Sequence, residues 1–259
     1  VVLGSFLQLI VSAVGLVGLG FDYNFKLYCR NRGFRKVLSL LPARSVDQGM
    51  DYVVSLVEVN LASRLADGTI RAYQQALTLH LMPINLIGVA ISNAAFPQLT
   101  ERLGEGRLDL FQKDLRSLLR IIFWMALPTS VVIFFTRGYI VHFIRNTGDQ
   151  LMAGILGCLV VAILFRTIYH MAARAFYARQ DTKTPLYISV FSISLNIALA
   201  IILTMNLNMG AYGLAWAQST VAVFEVVILL LVMSKQMPRM FNRAFVKAIG
   251  KMIAASAVA

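Results

Sequence analysis

AFYARQDTKTP, residues 175–185, is a polar, proline-ended break between two apolar runs. It is either a surface turn of a soluble protein or a hairpin between membrane helices, and its flanks decide which. The runs before and after it, roughly 151–173 and 186–205, are each long enough to cross a bilayer core, for which about 20 helical residues suffice. The pattern recurs along the chain at roughly 1–20, 41–61, 73–97, 118–136 and 211–234. Of 259 residues, 58% are hydrophobic and only 14% charged, whereas soluble domains carry about a quarter charged residues. The fold expected is therefore all-α, a polytopic membrane helix bundle of seven spans.

The net charge of +12 would suit a nucleic-acid partner if it formed one patch, but it alternates with the spans. Loops 21–40, 98–117, 174–185 and 235–251 carry, among others, Lys26, Arg30, Arg35, Arg102, Lys113, Arg179, Lys183, Arg239 and Lys247. The opposite loops hold only Arg64, Arg71, Arg137 and Arg145. Lys and Arg accumulate in cytoplasmic loops, so the break at 175–185 is expected on the cytoplasmic side and the opening residue outside. The same alternation accounts for the charge with no nucleic acid. The mixed-sign loop 98–117 reads either as a short amphipathic surface helix or as a solvated hairpin.

The chain starts inside an apolar run without Met and stops as another begins, which reads as a fragment of a longer protein. Cys29 and Cys158 form neither a disulfide framework nor a metal spacing. His80, His142 and His170 are isolated, and no HExxH, GxSxG or P-loop pattern occurs. No enzyme is expected.

The second span carries the most informative polar residues. On a helical wheel Asp47, Asp51 and Glu58 fall within about 40° of one another, with Arg44 roughly 20° beyond Asp51. A charge at the bilayer centre costs at least about 2.5–3.5 kcal/mol, so such residues face a bundle interior or wet cavity. The bland alternative is that Arg44 pairs with Asp47 or Asp51 near the interface and snorkels. Glu58 has no cation beside it in sequence, which favours a functional role.

Other spans add neutral and basic groups. Arg71, Gln74, Thr78, Asn85 and Ser92 share a face of about 60° in the third span, suited to interhelical hydrogen bonding or to lining a cavity. Gln218 and Glu225 lie seven residues apart on one face of the last span. Arg166, His170 and Arg174 step by four and could meet an anionic lipid headgroup; ordinary cytoplasmic anchoring is the alternative. Pro42, Pro83, Pro97 and Pro128 fall within or at the ends of spans and mark candidate kinks.

FYARQDTKTP resembles a loop in the second half of the MurJ/MviN lipid II flippases, of the multidrug/oligosaccharidyl-lipid/polysaccharide flippase superfamily. The segment around Pro83, Gly88, Val89, Ala90 and Pro97, the stretch SLVEVNLAS and the glycine-led GAYGLAWAQS are similar to that family too. The resemblance implies two six-helix lobes around a central cavity, followed by two further helices. Residues 1–20 would then be the last helix of the first lobe and 21–40 a basic cytoplasmic loop. Residues 41–234 would be the second six-helix lobe, and 235–259 a cytoplasmic linker with the start of a further helix.

The function implied is alternating-access translocation of undecaprenyl-diphosphate-linked peptidoglycan precursor, lipid II, across the bacterial cytoplasmic membrane. Cell-wall synthesis proteins are conceivable partners. No cofactor is implied beyond a coupling Na+ or H+. The cavity residues expected are Arg44, Asp47, Asp51, Thr78, Asn85 and Arg166. By the same resemblance, Glu58, Asn196, Gln218 and Ser219 would form a sodium or proton site, with the metal ligands proper at Glu58, Asn196 and Gln218. The chain departs from the family where Leu77 and Thr78 replace an acid–Arg pair, and where Ala200 replaces a second acid one turn after Asn196. The rivals are an exporter of another polyprenyl-linked oligosaccharide or of drugs, and a non-transporting membrane scaffold.

Overall fold

The structure is a computed structural model that describes residues 52–145 and 149–237, together with positions 11, 49, 249–252 and 256. By its chain contacts the molecule divides into two compact units, Val1–Leu40 and Leu41–Ala259. The helices below belong to the second.

Six helices follow one another: α1 (Tyr52–Ser63), α2 (Thr69–Gly104), α3 (Leu108–Arg145), α4 (Gln150–Ala178), α5 (Lys183–Asn206) and α6 (Ala211–Gln236). Helices α2 to α6 are each long and apolar enough to cross a membrane. Helix α1 is the described part of the span expected at 41–61. The span expected at 1–20 lies outside the described residues, as do Arg44, Asp47 and Asp51. The chain is all-helical over the described residues, but the described part does not establish the count of seven spans.

The connections are tighter than the sequence suggests. Residues 98–117 form a hairpin rather than a separate surface helix, because α2 and α3 run on past the apolar spans and leave only 105–107 as a turn. Phe111 and Leu115 are fully buried there, and Asp114 binds Gln98 at 3.2 Å and Arg102 at 3.5 Å. Apolar residues at helical spacing extend both helices into the interface, where their burial outweighs solvating the loop.

At the polar break of residues 175–185, α4 ends after Ala178 and Gln180 takes φ 60°. Asp181 then caps α5, accepting from the Thr184 amide at 3.1 Å and from its hydroxyl at 2.6 Å. Pro185 is buried in the first turn of α5, where its missing N–H costs no helical hydrogen bond. Asp181 and Pro185 fix the turn.

Pro83 cannot donate to the carbonyl one turn before it, and directly after it α2 widens into a π-helical segment, Ile84–Val89. Such widening is one way a membrane helix accommodates proline. It also brings Gly88 against α4, where an added Cβ would lie 3.0 Å from both Cα and carbonyl oxygen of Thr167. Helix α4 is the hub, packed on α2, α3 and α6. Two apolar clusters form the core. One, around Leu99, Phe111, Phe176 and Met233, joins the turn ends of α2–α3 and α4–α5 to the end of α6. The other, around Leu61, Tyr73, Met152 and Leu214, closes the opposite end. Polar side chains gather between them.

Candidate functional site

Helices α1, α2, α4, α5 and α6 line a partly open cavity of about 530 Å³. Glu58, Asn85, Arg166, Asn196 and Gln218 all line it, so five of the expected site residues converge although they come from five helices.

Glu58 projects from α1 and is 2% exposed. Its carboxylate accepts the Tyr73 hydroxyl of α2 at 2.9 Å and the Gln218 amide of α6 at 2.8 Å. A buried carboxylate is tolerable only with such donors. On the same cavity, Asn196 is buried and both polar atoms of its side chain lack a hydrogen-bond partner. An amide left so costs about 1–3 kcal/mol. A carboxylate with an uncommitted amide oxygen, and a Gln218 amide able to turn its oxygen inward, is the oxygen donor set that hard cations take. These residues therefore fit a monovalent cation. No cluster of three or more His, Cys, Asp or Glu side chains suited to a metal occurs among the described residues.

A second polar centre lies on α4. Arg166 makes an ion pair with Glu225 of α6, Nη1 to Oε2, at 3.2 Å. His170 and Arg174 follow at one-turn steps and also line the cavity. Arg174 donates to Asn93 and stacks over the Phe96 ring, 5.5 Å from its centroid. Tyr169 and Ser189 join α4 to α5 through their hydroxyls at 3.2 Å.

Two expected residues stand apart. Thr78 is exposed, away from the cavity lining, and its hydroxyl donates to the Gln74 carbonyl of its own helix at 2.9 Å. Ser219 is fully buried and donates to the Cys158 carbonyl at 2.6 Å, tying α6 to α4. Its hydroxyl is a packing link rather than part of the cavity wall. The wheel places Thr78 on a polar face, but a face is some 100° wide and only packing decides which part meets the cavity; Ser219 was expected from the family resemblance alone. Ser92 is also buried and bonds its own backbone, at Val89.

Tyr73 is a site residue not expected from the sequence. The signal was present, since Tyr73 and Glu58 stand almost symmetrically about the α1–α2 turn at 64–68. Glu225 shares a face with Gln218, as its spacing predicts, and its partner Arg166 comes from another helix.

A sequence model described as "Lipid II flippase MurJ" matches residues 1–259. A relative named "Probable lipid II flippase MurJ" from Borreliella burgdorferi is 23% identical over 243 residues, covering 91% of this chain and 47% of its own length. A solved structure titled "Lipid II flippase MurJ, inward closed conformation" superposes with a TM-score of 0.73 at 22% identity, over 96% of this chain and 51% of that one. An outward-facing multidrug resistance MATE family transporter of the MOP superfamily gives 0.72 at 13% identity, over 86% and 52%. These two likenesses establish the fold and do not separate lipid from drug export. The chain spans about half the length of the curated relative it matches. With the family's model matching from the first residue to the last, this chain belongs to the MurJ lipid II flippase family.

Proposed function

We propose that residues 1–259 belong to a transporter of the bacterial cytoplasmic membrane that moves lipid II from the inner to the outer leaflet, with α1–α6 as part of its second lobe. The observation that carries this reading is the polar cavity inside an otherwise apolar membrane bundle. Charged side chains at membrane depth are expensive and occur where a substrate or ion must pass. Among the described residues the wall holds two acids, Glu58 and Glu225, and two arginines; the face that runs from Arg166 through His170 to Arg174 is the part suited to an anionic lipid headgroup. Alternating access fits the build, because the cavity walls come from five separate helices.

Glu58, Asn196 and Gln218 reach in from α1, α5 and α6 and would hold a coupling Na+ or H+. A bound cation supplies the positive charge that the buried Glu58 carboxylate lacks. Holding it would draw three helices toward one point, which favours one access state over the other. The test is complementation: the intact protein is expressed in bacterial cells depleted of their own flippase, and lipid II on the outer leaflet is quantified. Restored exposure is expected. A well-inserted protein that restores none contradicts the proposal.

A further inference from the structure

The Arg166–Glu225 pair is lopsided. The Arg166 side chain is 27% exposed and that of Glu225 only 4%, so of these two lining residues the guanidinium is the more open to the cavity. We propose that Arg166 is the anion-binding group of this cavity and that Glu225 is its built-in competitor, holding the guanidinium until a lipid diphosphate takes its place. This rests on the flippase reading above and names the group of the substrate that this lobe grips.

The chemistry follows from what each partner can offer. A guanidinium presents five N–H donors in a planar fork matched to phosphate oxygens. A single carboxylate carries one negative charge and engages at most one edge of that fork, whereas a diphosphate brings more charge and more oxygens. Either member of the pair left alone in a membrane interior would be costly, so Glu225 keeps the cavity neutral when no substrate is present. Exchange keeps Arg166 compensated and leaves the displaced Glu225 carboxylate to bear the cost of an unpaired buried charge, so removing that charge should favour the incoming anion.

Placement supports the same assignment. Arg166 lies mid-way along α4, and His170 and Arg174 continue its face toward the turn at 179–182. Among the described lining residues the acids are Glu58, already bonded by Tyr73 and Gln218, and Glu225. An anion arriving from the α4–α5 turn end would thus pass basic side chains first and reach Arg166, with Glu225 as the acid it must displace.

The experiment measures binding of farnesyl diphosphate, inorganic pyrophosphate and uncharged farnesol to the intact protein in nanodiscs. Glu225→Gln keeps the shape and removes the competing charge, so farnesyl diphosphate should bind about tenfold tighter. Arg166→Gln should weaken it by about tenfold or more, with Arg166→Lys in between because a point charge lacks the fork. Farnesol should bind equally to all. Pyrophosphate following the same order supports a site that reads the diphosphate alone; an order seen only with farnesyl diphosphate supports one that also needs the lipid. Unchanged or weaker binding by folded, monodisperse Glu225→Gln overturns the proposal. If that variant does not fold, Arg166→Lys binding like wild type overturns it instead. Lipid II exposure, measured separately, keeps the two readings apart. The binding order without translocation would leave the anion site standing and remove the flippase reading. Translocation without the order would do the reverse.

Discussion

Glu58 is held by two donors from different helices, the Tyr73 hydroxyl and the Gln218 amide, and each has a separable consequence. Removing the hydroxyl leaves a buried carboxylate short of a donor, which costs about 1–3 kcal/mol. Tyr73→Phe should therefore lower the thermal unfolding midpoint of the detergent-solubilised protein, while a substitution at exposed Thr78, such as Thr78→Ala, should leave it nearly unchanged. Equal midpoints for Tyr73→Phe and wild type would mean that the bond does not hold α2 to α1. Glu58 and Gln218 were both legible as site residues, because charge and amide groups stand out in an apolar span. Tyr73 was not, since a tyrosine among apolar residues reads as packing until its hydroxyl has a partner. The Arg166–Glu225 pair was hidden for a related reason. Periodicity assigns each residue to a face, but not the neighbour which that face meets.

Helix α2 shows how one residue sets the distance between elements. Its π-helical segment after Pro83 presents Gly88 to the backbone of Thr167, with 3.0 Å to an added Cβ. Backbone atoms cannot swing aside as a flexible side chain can, and overpacking of this kind costs about 1–3 kcal/mol. Gly88→Ala should destabilise the lobe and shrink the cavity wall beside Asn85. Gly138→Ala on α3, where nothing lies within 4 Å, should be neutral or slightly stabilising. Comparing the two thermal midpoints checks this, and similar values would count against close α2–α4 packing. Helix α6 has the opposite task of linking sites. Gln218 and Glu225, two turns apart, bind the acid of one polar centre and the base of the other. Span existence was readable here, but the helix ends were not. Hydropathy marks the part that crosses lipid, whereas α2 and α3 continue beyond it on polar residues whose apolar neighbours still pack.

For the molecule as a whole, the loop charges and the helix ends agree. The turns at 105–107 and 179–182 and the end of α6 gather around one apolar cluster, and the α1–α2 and α5–α6 connections lie at the other end. By the positive-inside bias the first group is expected on the cytoplasmic side. A cysteine placed at exposed Gln180 should react with a membrane-impermeant maleimide in inverted vesicles and stay unlabelled in intact spheroplasts; the reverse pattern would invert the topology. The fold class was readable because bilayer thickness imposes a length on every span. The cavity was not, because it exists only where five helices meet.

The central claim is that lipid transport runs through this cavity and depends on the Glu58 carboxylate. The most direct measurement compares outer-leaflet lipid II in flippase-depleted cells carrying either the wild-type protein or Glu58→Gln at matched membrane levels. The variant keeps the size of the side chain and loses its charge, so exposure should fall well below wild type while insertion is unchanged. Wild-type exposure from Glu58→Gln would contradict the claim.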